Sequence, residues 1–226
     1  PKMPPVPESI PEKPVIAPPK PEPIPEPEPD PVTTPEPEPE PETELTPTPD
    51  EYFNFILRDD GTYEVSAKTT DMPSKVIIPD TYQGIPITLV KNDGFSGCES
   101  IKSITFPKYL RFIGSGAIRG CPNLESISVK KGNKNFHSDG NCIIHTFTKT
   151  IVVGCKTSVI PTDCSVRGIG SQAFSVESPA NMVIPDNILF IGNNAFYYNK
   201  HLESITCSDR LGTIGLDAFR GCTNLK

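Results

Sequence analysis

"IGNNAFYYNKHLESI" runs from Ile191 to Ile205, and nearly the same sentence stands upstream as "IGSGAIRGCPNLESI" from Ile113 to Ile127. It returns as "IGLDAFRGCTNLK" from Ile214 to Lys226. Self-similarity of this kind outranks any local secondary-structure signal. Seams of an apolar residue and a turn residue recur at Ile78-Pro79, Phe106-Pro107, Val129-Lys130, Ile160-Pro161, Ile184-Pro185 and Cys207-Ser208. Their spacings are 28, 23, 31, 24 and 23 residues. The motif starts at Val90, Ile113, Ile169, Ile191 and Ile214 step by 23, 56, 22 and 23, so one rung in the middle is rebuilt. A period near 23 falls in the range of leucine-rich repeats.

Each position in the motif has a physical reading. The glycine of "IG" (Gly114, Gly170, Gly192, Gly215) is expected to take a positive φ, letting the chain turn sharply after a short strand. Ala117, Ala173, Ala195 and Ala218 open a one-turn helix and let neighbouring coils approach. Phe174, Phe196 and Phe219 fill the interior, with Phe95 and Ile118 in the same slot. A small residue follows at Cys98, Cys121, Asn199 and Cys222, then an apolar anchor at Ile101, Leu124, Leu202 and Leu225. The next strand alternates, with Ile104 and Phe106, Ile127 and Val129, Met182 and Ile184, and Ile205 and Cys207 turned inward. One rung cannot bury these residues, but stacked rungs form a continuous core. The fold predicted is a right-handed leucine-rich repeat solenoid of five or six rungs. It has short parallel strands and one-turn helices, with Ile104, Ile127 and Ile205 in register in one sheet.

The combined pattern "IPxxhxxIGxxAFxxCxxLxxI" resembles the BspA-type leucine-rich repeat family of bacterial cell-surface proteins. "FNFILRDDGTYEVSAKTT" and "KVIIPDTYQGIPITLV" are similar to the lead-in hairpin of that family, and "NKNFHSDGNCIIHTFTKTIVVGC" to its recurring hairpin insertion. The chain departs from the pattern where Lys91 replaces the first glycine, where Asn199 replaces a cysteine, and after Phe174, where the cysteine and leucine are missing. The resemblance implies a cell-surface or extracellular location, no catalytic machinery, and a role in adhesion or ligand binding. The partner implied is a host or matrix protein or a glycan on a cell surface.

The predicted organisation is a disordered Pro/Glu-rich spacer over 1–50 and a solenoid over 51–226. The solenoid divides into an N-terminal β-hairpin cap segment (51–88), repeats (89–132), a hairpin insertion (133–160) and further repeats (161–226). The last motif stops at its anchor, so the array is expected to be cut there. The insertion is expected to project from the array, and its removal to leave the fold intact.

Charge supports this division. The net charge is -7, yet residues 1–50 hold twelve acidic and three basic groups, about -9, leaving roughly +2 for the rest. Twenty of the 28 prolines lie in the same segment. Proline fixes φ and lacks an N–H, so neither helix nor sheet ladder forms there. In polyproline II form it would reach on the order of 150 Å at about 3.1 Å per residue. A docking ligand for a proline-reading domain is the alternative, but the tract lacks a basic anchor. The near-neutral remainder offers no clustered basic face for nucleic acid. No run of 18 apolar residues marks a transmembrane segment. The chain begins at Pro1, so the lack of a leader carries no information.

Chemistry-bearing residues are few. The seven cysteines include no CxxC pair. Cys98 and Cys121 share an inward slot and are expected to be buried and reduced, while Cys142, Cys155 and Cys164 leave a disulfide open. His137, His145 and His201 lack ligand spacing, although the first two sit where a hairpin would bring them together. No nucleophile elbow, phosphate loop or zincin motif is present, so no catalytic residue, metal or cofactor is assigned. The outward strand positions Ser103, Thr105, Ser126, Ser128, Ser204 and Thr206 form a small, hydroxyl-rich face. It is either a solvated sheet surface or a docking face. The function expected is non-enzymatic binding from an extended spacer, and the alternative is a structural module within a larger surface protein. The ligand and the oligomeric state are not legible.

Overall fold

The computed structural model of the protein describes residues 46–175 and 178–226. The spacer reading of 1–50 lies, up to residue 45, outside the described residues. A 3-10 turn at Asp50–Tyr52 leads into an antiparallel hairpin of β1 (Phe53–Leu57) and β2 (Tyr63–Ala67). Then come β3 (Lys75–Ile77), β4 (Thr81–Tyr82), β5 (Ile85–Val90), β6 (Ser103–Phe106), β7 (Phe112–Ile113) and β8 (Ser126–Val129). An antiparallel meander follows, of β9 (Phe136–Asp139), β10 (Cys142–His145) and β11 (Thr150–Val153). The chain closes with β12 (Gly168–Ile169), β13 (Asn181–Ile184), β14 (Phe190–Ile191), β15 (Ser204–Cys207) and β16 (Thr213–Ile214).

These strands stack as a leucine-rich repeat solenoid of about seven turns. That exceeds the expected five or six because both irregular segments join the stack. The cap strand β2 pairs in parallel with β5, and β11 pairs in parallel with β12. One ladder carries β3–β6–β8 and β13–β15. The other carries β2–β5–β7 and β11–β12–β14–β16, in which the repeat strands β7, β12, β14 and β16 are each two residues long. The cap covers the first rung with aromatic rings. Phe53 and Tyr63 are buried, and the Phe55 ring stacks on Tyr82 at 4.0 Å.

Both ladders break at the same place. Ile104 lies opposite Ile127, as expected, but Ile205 lies opposite Met182 in a separate two-stranded sheet. The expected single sheet is therefore corrected to two. The cause is the insertion, which does not project. Phe136, Cys142, Ile143, Ile144, Ile151 and Val153 are all buried. Along β10 alternate side chains point opposite ways. Ile143 packs into the N-terminal core cluster, while Cys142 and Ile144 pack into the C-terminal one. The insertion is a partition between two stacks of rungs. It also finishes the edge of β8, where Asn141 Oδ1 accepts from the Ile127 N–H at 2.8 Å and Ser138 Oγ from the Val129 N–H at 2.7 Å.

The Ala-Phe segments are turns rather than the expected one-turn helices. They carry single i→i−3 bonds, such as Ala117 N–H to Gly114 O and Tyr197 N–H to Asn194 O. Left-handed residues stop any helical continuation. Asp93, Gly116, Gln172, Asn194 and Asp217 occupy one repeat slot and all have φ between +53° and +64°. The "IG" glycines do not have positive φ, which corrects the reading of their role. They are glycine because rungs touch there. A Cβ on Gly114 would lie 2.4 Å from Asn92 N, and one on Gly192 would lie 2.7 Å from Ser171 N.

The Cys/Asn slot has a shared function. Each residue reaches back to a carbonyl of the preceding rung. Cys121 Sγ donates to Phe95 O at 3.2 Å, Asn199 Nδ2 to Phe174 O at 2.9 Å and Cys222 Sγ to Phe196 O at 3.0 Å. Asn199 thus replaces a cysteine without losing the donor, and its Oδ1 also accepts from the His201 and Leu202 N–H groups. Cys98 and Cys121 are buried as expected, and no disulfide links any of the described cysteines. Burial pushes the Cys142 thiol up to about 12 and raises that of Cys98. Cys207, expected to face inward, is exposed, because among the described residues β15 is paired only with β13 and its other edge is uncovered. A maleimide at pH 8 is therefore expected to modify Cys164 and Cys207 quickly in the native protein. Cys98, Cys121, Cys142 and Cys155 should react only after denaturation, since reaction needs an accessible thiolate. Mass spectrometry of the labelled peptides checks this, and fast modification at Cys98 or Cys121 would contradict the packing.

Candidate functional site: an outward sheet face and a cleft between rung stacks

The parallel pairing of β3, β6 and β8 sets residues side by side across rungs. Lys75, Ser103 and Ser126 form one row, and Ile77, Thr105 and Ser128 the next. Ser126 is exposed, while Ser103, Thr105 and Ser128 are half-buried. Thr105 and Ser128 hydroxyls lie 3.0 Å apart and bond across the rungs. Ser204 and Thr206 are on β15, beside Asn181 and Val183, and Ser204 Oγ donates to Asn181 Oδ1 at 2.6 Å. Four of the six candidate residues therefore come together, and Ser204 and Thr206 stand apart on the second sheet.

The histidines do not meet. His137 is opposite Ile144 and His145 opposite Phe136, so parity puts the two imidazoles on opposite faces of the hairpin. His137 Nδ1 lies 3.1 Å from Thr146 Oγ1, and His145 Nδ1 accepts from the Thr148 N–H at 3.2 Å. Among the described residues no group of three His, Cys, Asp or Glu side chains gathers to hold a metal. No described helix is long and apolar enough to cross a membrane.

Two features escape a reading confined to the longer strands. Phe112 and Phe190 precede "IG" and point outward by the same alternation, with Phe112 60% exposed. The Phe190 ring lies over Gly168, where a Cβ would come within 2.1 Å of it. Their signal was parity in "RFIG" and "LFIG". The second feature is a cleft of about 240 Å³ where the rung stacks part, walled by Ser115, Gly116 and Ile118 on one side and by Gly154, Gln172 and Ser175 on the other. Ser115 Oγ donates to Gln172 Oε1 at 2.6 Å across it.

The family model of the BspA type leucine rich repeat region matches residues 70–142 and 141–226 in six copies. The chain belongs to this family. It is similar to a leucine rich repeat protein of T. pallidum at 23% identity over 80% of this chain and 69% of that one, with a TM-score of 0.43. A leucine-rich repeat protein from Bacteroides ovatus shares 25% identity over 77% of this chain and 45% of that one, at a TM-score of 0.49. A leucine rich cell surface protein from Faecalibacterium prausnitzii shares 15% identity over 80% and 82%, at a TM-score of 0.45. No individually curated protein matches the chain. The BspA-type repeats run through both flanks of the insertion, so the cleft lies inside the matched array.

Proposed function

We propose that the protein is a non-enzymatic binding or adhesion protein of the cell surface or extracellular space, holding a host or matrix protein or glycan against its β3–β6–β8 face. The observation that supports this reading is the alignment of Ser103, Thr105, Ser126 and Ser128 across adjacent parallel strands. Their backbones are fixed by the ladder, so little ordering cost remains when a partner docks. Small hydroxyls leave a flat surface that both donates and accepts hydrogen bonds. Membership of a family of repeat proteins is consistent with this use, because solenoids present extended binding surfaces. Ser204 and Thr206 provide a second, separate patch in the same proposal.

The test is a screen of the immobilised chain against matrix proteins and a glycan array. For any ligand found, S126K with S128K is expected to weaken binding about tenfold or more, with an unchanged melting temperature. S204K is expected to change it little. Binding that survives the double substitution and is lost only on S204K would move the site to β15. Binding by an isolated peptide of residues 1–50 as strong as that of the whole chain would sink the assignment.

A further inference from the structure

The cleft is the imprint of a missing turn. From the ladder residue Ile113 to the seam residue Val129 the chain advances 16 positions, whereas from the equivalent ladder residue Ile151 to the seam residue Ile160 it advances only 9. "VVGCKTSVIP" thus goes straight across where other rungs insert the "xxAFxx" loop.

That loop has a regular duty elsewhere. In each rung followed by a full neighbour, alternate N–H groups of one turn donate to alternate carbonyls of the next. Asp93, Phe95 and Gly97 donate to Ser115, Ala117 and Arg119. Gln172 and Phe174 donate to Asn193 and Ala195. Asn194, Phe196 and Tyr198 donate to Leu216, Ala218 and Arg220. By repeat position the same three donors of the 113–121 rung are Gly116, Ile118 and Gly120. Among the described residues none of the three N–H groups has an acceptor. Gly116 and Ile118 border the cleft directly. The Gln172 amide, whose Oε1 is taken by Ser115, has no described acceptor for its Nε2 donor. The insertion finishes the β8 edge with Asn141 and Ser138 but supplies nothing of the kind here.

We infer that this cleft binds a short polypeptide segment of a partner protein, which takes the place of the missing turn and accepts main-chain hydrogen bonds from this donor array. The donor array continues the protein's own rung-to-rung interface, and that interface shows what satisfies it: carbonyls at alternate residues of a chain in the same turn. In every native pairing the central acceptor is a buried alanine, Ala117, Ala195 or Ala218. A cleft of about 240 Å³ is below the roughly 300–1,000 Å³ of drug-sized sites, so it takes a few residues with a small one at the centre. The recognition is strand-addition chemistry, in which main-chain bonds give affinity and a neighbouring pocket gives selectivity. This site is independent of the hydroxyl face.

The probe is the acetylated, amidated peptide GLDAFRG, the sequence of residues 215–221, whose native carbonyls already fill such an array. In the free protein, amide exchange at Gly116, Ile118 and Gly120 is expected to be fast, and that at Phe95 and Phe196 slow. Added peptide at millimolar concentration should slow exchange at the first three and shift their amide resonances. A peptide with leucine for its central alanine should do neither. S175W, which fills the cleft from its far wall, should weaken binding about tenfold or more while leaving the exchange of Phe95 unchanged. Slow exchange at Gly116 and Ile118 without peptide would overturn the inference. So would shifts confined to Asp217, Phe219 and Gly221 at the last rung, equal binding by the leucine peptide, or no shift at all.

Discussion

Replacing Phe196 by alanine is expected to destabilise the protein by about 3–5 kcal/mol. The ring is fully buried and sits in a column. It stacks on Phe174 at 5.3 Å and 5° on one side, and on Phe219 at 5.1 Å and 10° on the other. Removing it leaves a void between two rings that cannot close on each other, because the parallel strands fix the rung spacing. The surrounding atoms lose dispersion contacts without regaining them. Phe219 is only half-buried, so Phe219→Ala should cost distinctly less. Urea unfolding of the two variants measures both. A loss below about 1 kcal/mol at Phe196 would place its ring outside the core.

Excising residues 133–153 is expected to abolish cooperative folding altogether. The opposite follows from reading the segment as a projecting hairpin. Six of its apolar side chains are buried, and β10 feeds both core clusters at once. Truncating even one large core residue costs about 2–5 kcal/mol, and a domain holds only about 5–15 kcal/mol in total. The deletion also strips Asn141 and Ser138 from the β8 edge, leaving the Ile127 and Val129 N–H groups without acceptors. Loss of amide dispersion and of a sharp thermal transition is the expected readout. Phe147, at the exposed tip, is the control, since it is 90% exposed. Phe147→Ser should change stability by no more than about 0.5 kcal/mol. A well-dispersed, cooperatively melting deletion variant would show that the partition is dispensable.

The repeat itself decided much of this protein. Side-chain parity within a strand and spacing between rungs are local properties, so they are written in the order of residues. They placed Ile104, Ile127, Phe95, Phe174 and Phe196 in the core and set Ser103, Thr105, Ser126 and Ser128 outward, as the structure has them. Membership of the BspA-type family was legible for the same reason. Local pattern did not reveal why the "IG" positions are glycine. Positive φ is the ordinary reason for a recurring turn glycine, yet here the cause is a backbone one rung away, at Asn92 or Ser171. Nor did it show that Ile205 belongs to a different sheet from Ile127, or that Cys207 is exposed, because both depend on which strand stacks alongside. Alternation within "NCIIH" marks two apolar faces but does not say that each serves a different core. Only the stacked chain decides that, since hydrogen bonding and burial across rungs join residues some 23 positions apart whose contact no local sequence encodes.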